Sequence, residues 1–257
     1  MPSVNPLNTN FSNGVTNVGE GHPLAGMGQM IPSKFITLFD DFINPASGTA
    51  SDVQAWTATN DGGTGTPVFN VDALGGVAKA VTAAADNDYA AYASASEIFK
   101  FTAGKKMWLE ARVKVAEATS NESTWWVGVT DTLTTGGVQA NALGPLDSYD
   151  GALFWKTPET AMTLNFETSN AASQNTLSTF ATSVTDTWTK VAFYFDGIDK
   201  VYPYAAVNDS ETWVQYTGQS LIVTGLEEMH VVFGIKAGPT AAAETLQIDY
   251  ILVAAER

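Results

Sequence analysis

The chain has 257 residues, 45% of them apolar, and no cysteine. That composition supplies one large core, since sandwiches of about 200–250 residues fold as single domains, and it excludes a disulfide framework or a thiolate metal site. With 12 Lys+Arg against 27 Asp+Glu the net charge is −15, a field that repels phosphate backbones and argues against nucleic-acid binding.

The first 33 residues carry one charged side chain, Glu20. A solvated tail usually combines net charge with low apolar content. This segment instead scatters apolar residues among Asn, Gly, Pro and Thr, with no helical or strand period. It is expected to form an extended arm, residues 1–34, that lies on its own domain or a neighbouring subunit and buries Phe11, Leu24, Met27 and Ile31. Neither a basic n-region nor an apolar h-region opens the sequence, so release from the cell is expected by lysis or assembly. No apolar run approaches the roughly 20 residues of a helical membrane span.

From Phe35 onward, residues 35–257, the pattern has period two. In Met107-Trp108-Leu109-Glu110-Ala111-Arg112-Val113-Lys114-Val115 the odd positions are apolar and the even ones are Trp, Glu, Arg and Lys. A strand with one buried face gives that alternation. Val191, Phe193 and Phe195 form a second inward set, and Met229, Val231, Phe233 and Ile235 a third. Leu246, Ile248, Tyr250 and Leu252 are expected to form a fourth. Shorter strands are predicted around 35–39, 54–59, 67–71, 76–82, 89–93, 124–130, 151–156, 161–167, 175–180, 200–207, 212–216 and 219–223. Turn residues such as Asp86-Asn87-Asp88 and Asp196-Gly197 separate them. Many short strands without a long amphipathic helix predict an all-β, antiparallel sandwich preceded by the arm.

Several segments together resemble the concanavalin A-like (laminin-G-like) jelly roll. They are Thr37-Leu-Phe-Asp-Asp-Phe42, the Trp108–Val115 strand with its Glu-x-Arg-x-Lys pattern, Asp150–Lys156, Trp188–Asp196 and Leu246–Val253. The resemblance implies that the first and last of these strands pair. A cysteine-free jelly roll with no export signal and an uncharged arm is also similar to tailed-bacteriophage capsid decoration (cement) proteins.

Glycoside hydrolysis needs two carboxylates across the scissile bond. Hydrolases of the resembled fold carry a Glu-x-Asp pattern on one strand, and this sequence contains none. Glu110 has Arg112 at i+2, which reads as an ion pair that holds the carboxylate as an anion. His22 falls in the arm, His230 falls opposite an apolar face, and no Gly-x-Ser-x-Gly elbow is present. Two histidines without cysteine argue against zinc. Relatives of the fold often bind calcium where the first and last strands meet, which makes Asp40, Asp41 and Asp249 candidates. Edge-strand or turn roles are the favoured reading of all three. No cofactor is expected. The outward face with Trp108, Glu110 and Arg112, joined by Trp125, Trp126 and Trp155 on candidate neighbouring strands, suits a glycan platform. The competing reading places those tryptophans in the core.

The resulting expectation is a non-enzymatic virion protein, made in the host cytoplasm. It would bind the major capsid protein and sister copies on the outside of a phage head as a homo-oligomer, with neither nucleic acid nor membrane as partner. The alternative is a glycan- or receptor-binding module whose partner is carbohydrate.

Overall fold

Alternating side chains need two surfaces to bury against, and the chain supplies them as two antiparallel sheets. The computed structural model describes residues 33–42, 56–60, 68–70, 76–118, 122–133, 138–139, 144–157, 161–239 and 242–257. Phe11, Leu24, Met27 and Ile31 lie outside the described residues. Among those described, sheet A has nine strands. These are β1 (Phe35–Asp40), β3 (Val68–Asn70), β4 (Val77–Val81), β6 (Met107–Ala116), β11 (Trp188–Phe195), β12 (Lys200–Ala206), β13 (Val214–Gln215), β14 (Gln219–Ser220) and β16 (Thr245–Glu256). Sheet B has seven. These are β2 (Trp56–Asn60), β5 (Tyr89–Ser94), β7 (Ser123–Thr130), β8 (Gly151–Trp155), β9 (Thr163–Asn170), β10 (Ser173–Thr182) and β15 (His230–Ala237). All the strands expected from the sequence form, and among the described residues no helix does.

Sheet A runs β13-β12-β11-β6-β16-β4-β3, and sheet B runs β10-β9-β8-β7-β15-β5-β2. The first and last strands pair as the resemblance implied, Phe35 opposite Glu256 through Asp40 opposite Ile251. The early half of β16 pairs with β4 on the same side, so one long strand serves two short partners in tandem.

The inward set of β16 differs from expectation. Leu246 and Ile248 face the core, but a register shift between Ile248 and Tyr250 moves the next inward positions to Ile251, Val253 and Ala255. A bulge inserts one unpaired residue and thereby exchanges the faces beyond it. Tyr250 and Leu252 consequently point outward.

Between the sheets, Leu109, Val113, Phe193 and Val253 of sheet A meet Trp125, Val127, Phe154 and Phe233 of sheet B. Within sheet B, Phe233 packs on Trp56 at 5.1 Å and on Tyr92 at 5.0 Å between ring centroids, and Phe166 of sheet B meets Phe193 of sheet A at 6.1 Å across the layers. At one end of the sandwich the sheets are also joined by charge. Lys156, just past β8, donates to Glu117 Oε1, just past β6, at 2.7 Å and to the Ser123 carbonyl at 2.8 Å. Their side chains are 0% and 2% exposed. Glu117 Oε1 also accepts the Ser123 N–H and hydroxyl, at 3.1 and 2.6 Å. Burial lowers the Lys156 pKa, and the Glu117 carboxylate works against that shift.

Removing one member of a buried pair leaves an uncompensated charge, at a cost of about 3–5 kcal/mol. Lys156→Ala is therefore expected to lower unfolding stability by that amount in urea titration. The double change Lys156→Met with Glu117→Leu should recover most of it. Equal losses in both variants would mean that the pair's charge is not what matters.

Candidate functional site

The outer face of sheet A is built by the residues that alternate with the core. On β6 these are Trp108, Glu110, Arg112 and Lys114, as the sequence pattern indicated. β11 adds Trp188, Lys190 and Tyr194 in register with them: Lys190 opposite Arg112, and Tyr194 opposite Trp108. β12 adds Tyr202 and Tyr204, and β16 adds Tyr250, opposite Arg112. The aromatic residues of β11, β12 and β16 were missed, although the alternation that puts Val191, Phe193 and Phe195 inward also puts Trp188 and Tyr194 outward.

Polar partners interlock across this face. Arg112 Nη1 pairs with Asp249 Oδ2 at 2.7 Å, so the pair expected between Glu110 and Arg112 is replaced by one with the bulge residue. Glu110 instead accepts the Tyr250 hydroxyl at 2.7 Å. The Arg112 guanidinium lies 4.5 Å from the Trp188 ring centroid, with the Lys114 ammonium 5.2 Å from it. Lys190 lies 5.6 Å from the Trp213 ring and donates to Glu211 Oε2 at 2.5 Å. That hydrogen bond, with the ammonium's charge, lowers the Glu211 pKa. Burial raises the Tyr250 pKa, with Glu110 adding to the rise. Trp188, Tyr194, Tyr202, Trp213 and Tyr250 are half-buried, whereas Trp108 is fully buried against Phe35, Ala192, Tyr204 and Ala254. The face therefore offers aromatic edges among paired charges, suited to hydrogen bonding and stacking.

The remaining tryptophans lie elsewhere. β7 and β8 belong to sheet B, not beside β6. Trp125 is in the core between the sheets, while Trp126 and Trp155 sit on the outer face of sheet B. There they are covered by Leu133, Val138, Leu146 and Tyr149. Gly234 makes room for the Trp126 indole, because a Cβ there would fall 2.3 Å from Trp126 Cζ2. The six residues read as one glycan platform thus occupy three environments, and all four of its tryptophans are buried.

The cover over sheet B is held by carboxylates. Asp150 Oδ1 accepts the Ala171 N–H at 2.8 Å, and Oδ2 accepts the Glu227 N–H at 2.6 Å. Asp131 Oδ1 accepts the Asp150 N–H at 2.8 Å. Glu167 is buried and accepts hydroxyl protons from Tyr149 at 3.2 Å and Thr176 at 2.5 Å.

Among the described residues no group of three or more His, Asp or Glu is placed to hold a metal ion. Asp40 accepts the Phe42 N–H and the Trp56 indole N–H, each at 2.8 Å, so it serves the turn after β1. Asp249 is taken by Arg112, and Asp41 is half-buried beside Asp40. His230 meets the Ser94 carbonyl through Nδ1 at 2.7 Å.

No protein-family model matches the chain, and no curated protein matches it in sequence. Solved structures do match in fold. A protein of unknown function from Shewanella oneidensis MR-1 superposes with a TM-score of 0.59 at 17% identity, over 94% of this chain and 97% of that one. Peanut lectin, solved with a nine-residue peptide, gives 0.58 at 10% identity, over 86% and 97%. Lotus tetragonolobus seed lectin gives 0.55 at 7% identity, over 86% and 99%. The fold is the lectin-type, concanavalin A-like β-sandwich.

Burial raises the Glu167 pKa above its ordinary value near 4.5, against the Thr176 and Tyr149 hydrogen bonds. The folded protein then keeps a proton that the unfolded chain has lost. The stabilisation is full below the ordinary pKa and is lost as pH rises through the raised one. Glu167→Gln, which does not titrate, is expected to lose less stability than wild type between about pH 4.5 and neutrality, read by thermal melts. Parallel pH curves would show that Glu167 titrates as in the unfolded chain.

Proposed function

We propose that this chain is a non-catalytic attachment module, a decoration protein on the outside of a virion head, held there by the arm that precedes β1. The position of β1 carries this reading. Among the described residues it pairs with β16 alone, so the chain enters the sandwich along an open edge of sheet A. A segment arriving there can run onto a neighbouring subunit without crossing the core. The acidic side chains support a non-catalytic role, because Glu110, Asp131, Asp150, Glu167 and Asp249 all hold structural partners.

Attachment would come from burying Phe11, Leu24, Met27 and Ile31 on the shell, at roughly 25 cal/mol per Å² of apolar area. Ordering the arm opposes this by about 1–2 kcal/mol per residue. One arm is marginal, and sister copies on a symmetric lattice supply avidity. Deleting residues 1–33 is expected to leave a cooperatively melting sandwich that no longer co-sediments with capsids. Wild-type occupancy by the truncated protein would refute the reading.

A second reading, glycan binding, is favoured by the half-buried Trp188 and Trp213 beside paired charges and by the lectins among the structural neighbours. Saturable binding on a glycan array, lost in Trp188→Ala with Trp213→Ala, is its expected result. A blank array with wild-type protein would remove it.

A further inference from the structure

The last strand of a sheet leaves one row of backbone N–H and C=O groups without a ladder partner, and proteins commonly blunt such a row with charge, proline or a bulge. β10 is the terminal strand of sheet B and, among the described residues, pairs with β9 alone. It is ten residues long, and none of them is buried. Its sequence, Ser-Gln-Asn-Thr-Leu-Ser-Thr-Phe-Ala-Thr, holds neither a charged residue nor a proline, in a chain whose net charge is −15.

The side chains of this strand are committed to their own subunit. Gln174 Nε2 donates to the Leu146 carbonyl at 2.7 Å, Asn175 Nδ2 to the Ser220 carbonyl at 3.0 Å, and the Thr176 hydroxyl to Glu167 Oε2 at 2.5 Å. Leu177 and Phe180 pack against the core. The irregular stretch lies further on, between Leu177 and Ala181. There Thr179 takes φ +50° and gives its N–H to Asn165 Oδ1 at 2.8 Å. A bulge bends a strand out of a regular ladder, but this one begins only after Leu177. Ser173–Leu177 stays in register with β9, from Ser173 opposite Asn170 to Leu177 opposite Phe166. It is a braced segment with one backbone row turned away from its neighbour.

We propose that Ser173–Leu177 pairs antiparallel with the same segment of a second copy, about a two-fold axis at Asn175, so that sheet B continues from one subunit into the other. Identical strands paired this way are self-complementary, as an isologous two-fold contact requires. Gln174 of each copy falls opposite Thr176 of the other, and the two Asn175 residues face each other. The absence of charge selects this occupant. A lysine or glutamate at the centre of the strand would meet its like across the axis, whereas an acidic or basic strand from elsewhere finds no complement here. The side chains need not rearrange, because their hydrogen bonds stay within each subunit. The net charges of the two bodies are screened beyond about 8 Å at physiological salt.

The test is sedimentation equilibrium of the full chain over a concentration series, with cysteine cross-linking as a second readout. Wild type is expected to form a concentration-dependent dimer. Asn175→Lys, which sets two ammonium groups face to face, should raise the dimer dissociation constant at least about fivefold while the monomer still melts cooperatively. The chain has no cysteine of its own, so Asn175→Cys can form only one symmetric disulfide. Facing residues of an antiparallel pair stand about 4.5–5.5 Å apart, within disulfide reach. Asn175→Cys is expected to cross-link under mild oxidation, and Thr57→Cys, exposed on β2 at the opposite edge of sheet B, is not. A wild type that stays monomeric up to its solubility limit overturns the proposal and leaves the edge to a strand of another protein. Equal cross-linking by the two cysteine variants, or a dimer that Asn175→Lys does not weaken, overturns it as well. The dimer is read on the free protein, so neither result depends on whether residues 1–33 attach it to a capsid.

Discussion

Burying both faces of a β-sheet requires a layer on each side, and the central strands of sheet B impose that requirement on the whole molecule. Every residue of β7 and β8 is buried, as are all but the first of β5 and β15. Sheet A covers one face, and Leu133, Val138, Leu146 and Tyr149, between β7 and β8, pack on the other. That connection brings backbone amides and polar side chains against an apolar surface, where unpaired groups are costly. The carboxylates of Asp131, Asp150 and Glu167 meet the need as internal acceptors. Acidic residues thus also serve the interior, and on sheet A Asp249 pairs with Arg112 while Glu110 accepts the Tyr250 hydroxyl.

The same constraint explains what the sequence revealed and what it hid. The alternation of β6, β11 and β15 was legible because each has one strongly apolar face, and the strand list followed from it. The pairing of β1 with β16 was legible through the resemblance. Trp125 and Trp126 were not separable by type, because both their faces are buried and a buried tryptophan looks alike in either layer. The bulge at Asp249 was invisible because Tyr250 and Leu252 continue an apolar alternation whose true inward set is Ile251 and Val253. Its effect on the site is direct: Asp249 reaches Arg112, and Tyr250 reaches Glu110. Lys156, at the end of an apolar run, reads as a solvated strand terminus. Its buried partner is 39 residues away in sequence, beyond any local pattern.

The two sheets consequently present different outer surfaces. Sheet B is closed by its own connection. The outer face of sheet A is tiled with half-buried aromatics and ion pairs that hold one another in place. A face of this kind is rigid, since each long side chain is pinned by a ring or a carboxylate, and rigidity lowers the entropy lost when a partner docks.

The tandem arrangement on β16 has a mechanical consequence. Phe35 and Glu256 sit opposite each other at the same end of an antiparallel pair, with Arg257 hydrogen-bonded to Lys34. Antiparallel ladder bonds run perpendicular to the strands. Tension applied between these two chain ends would open them one after another, like a zipper, rather than load them together in shear. A force entering through the residues before β1 is resisted well only when it leaves through the body of the sandwich. Whatever holds this molecule under load should grip the sheets rather than the β16 end at Glu256.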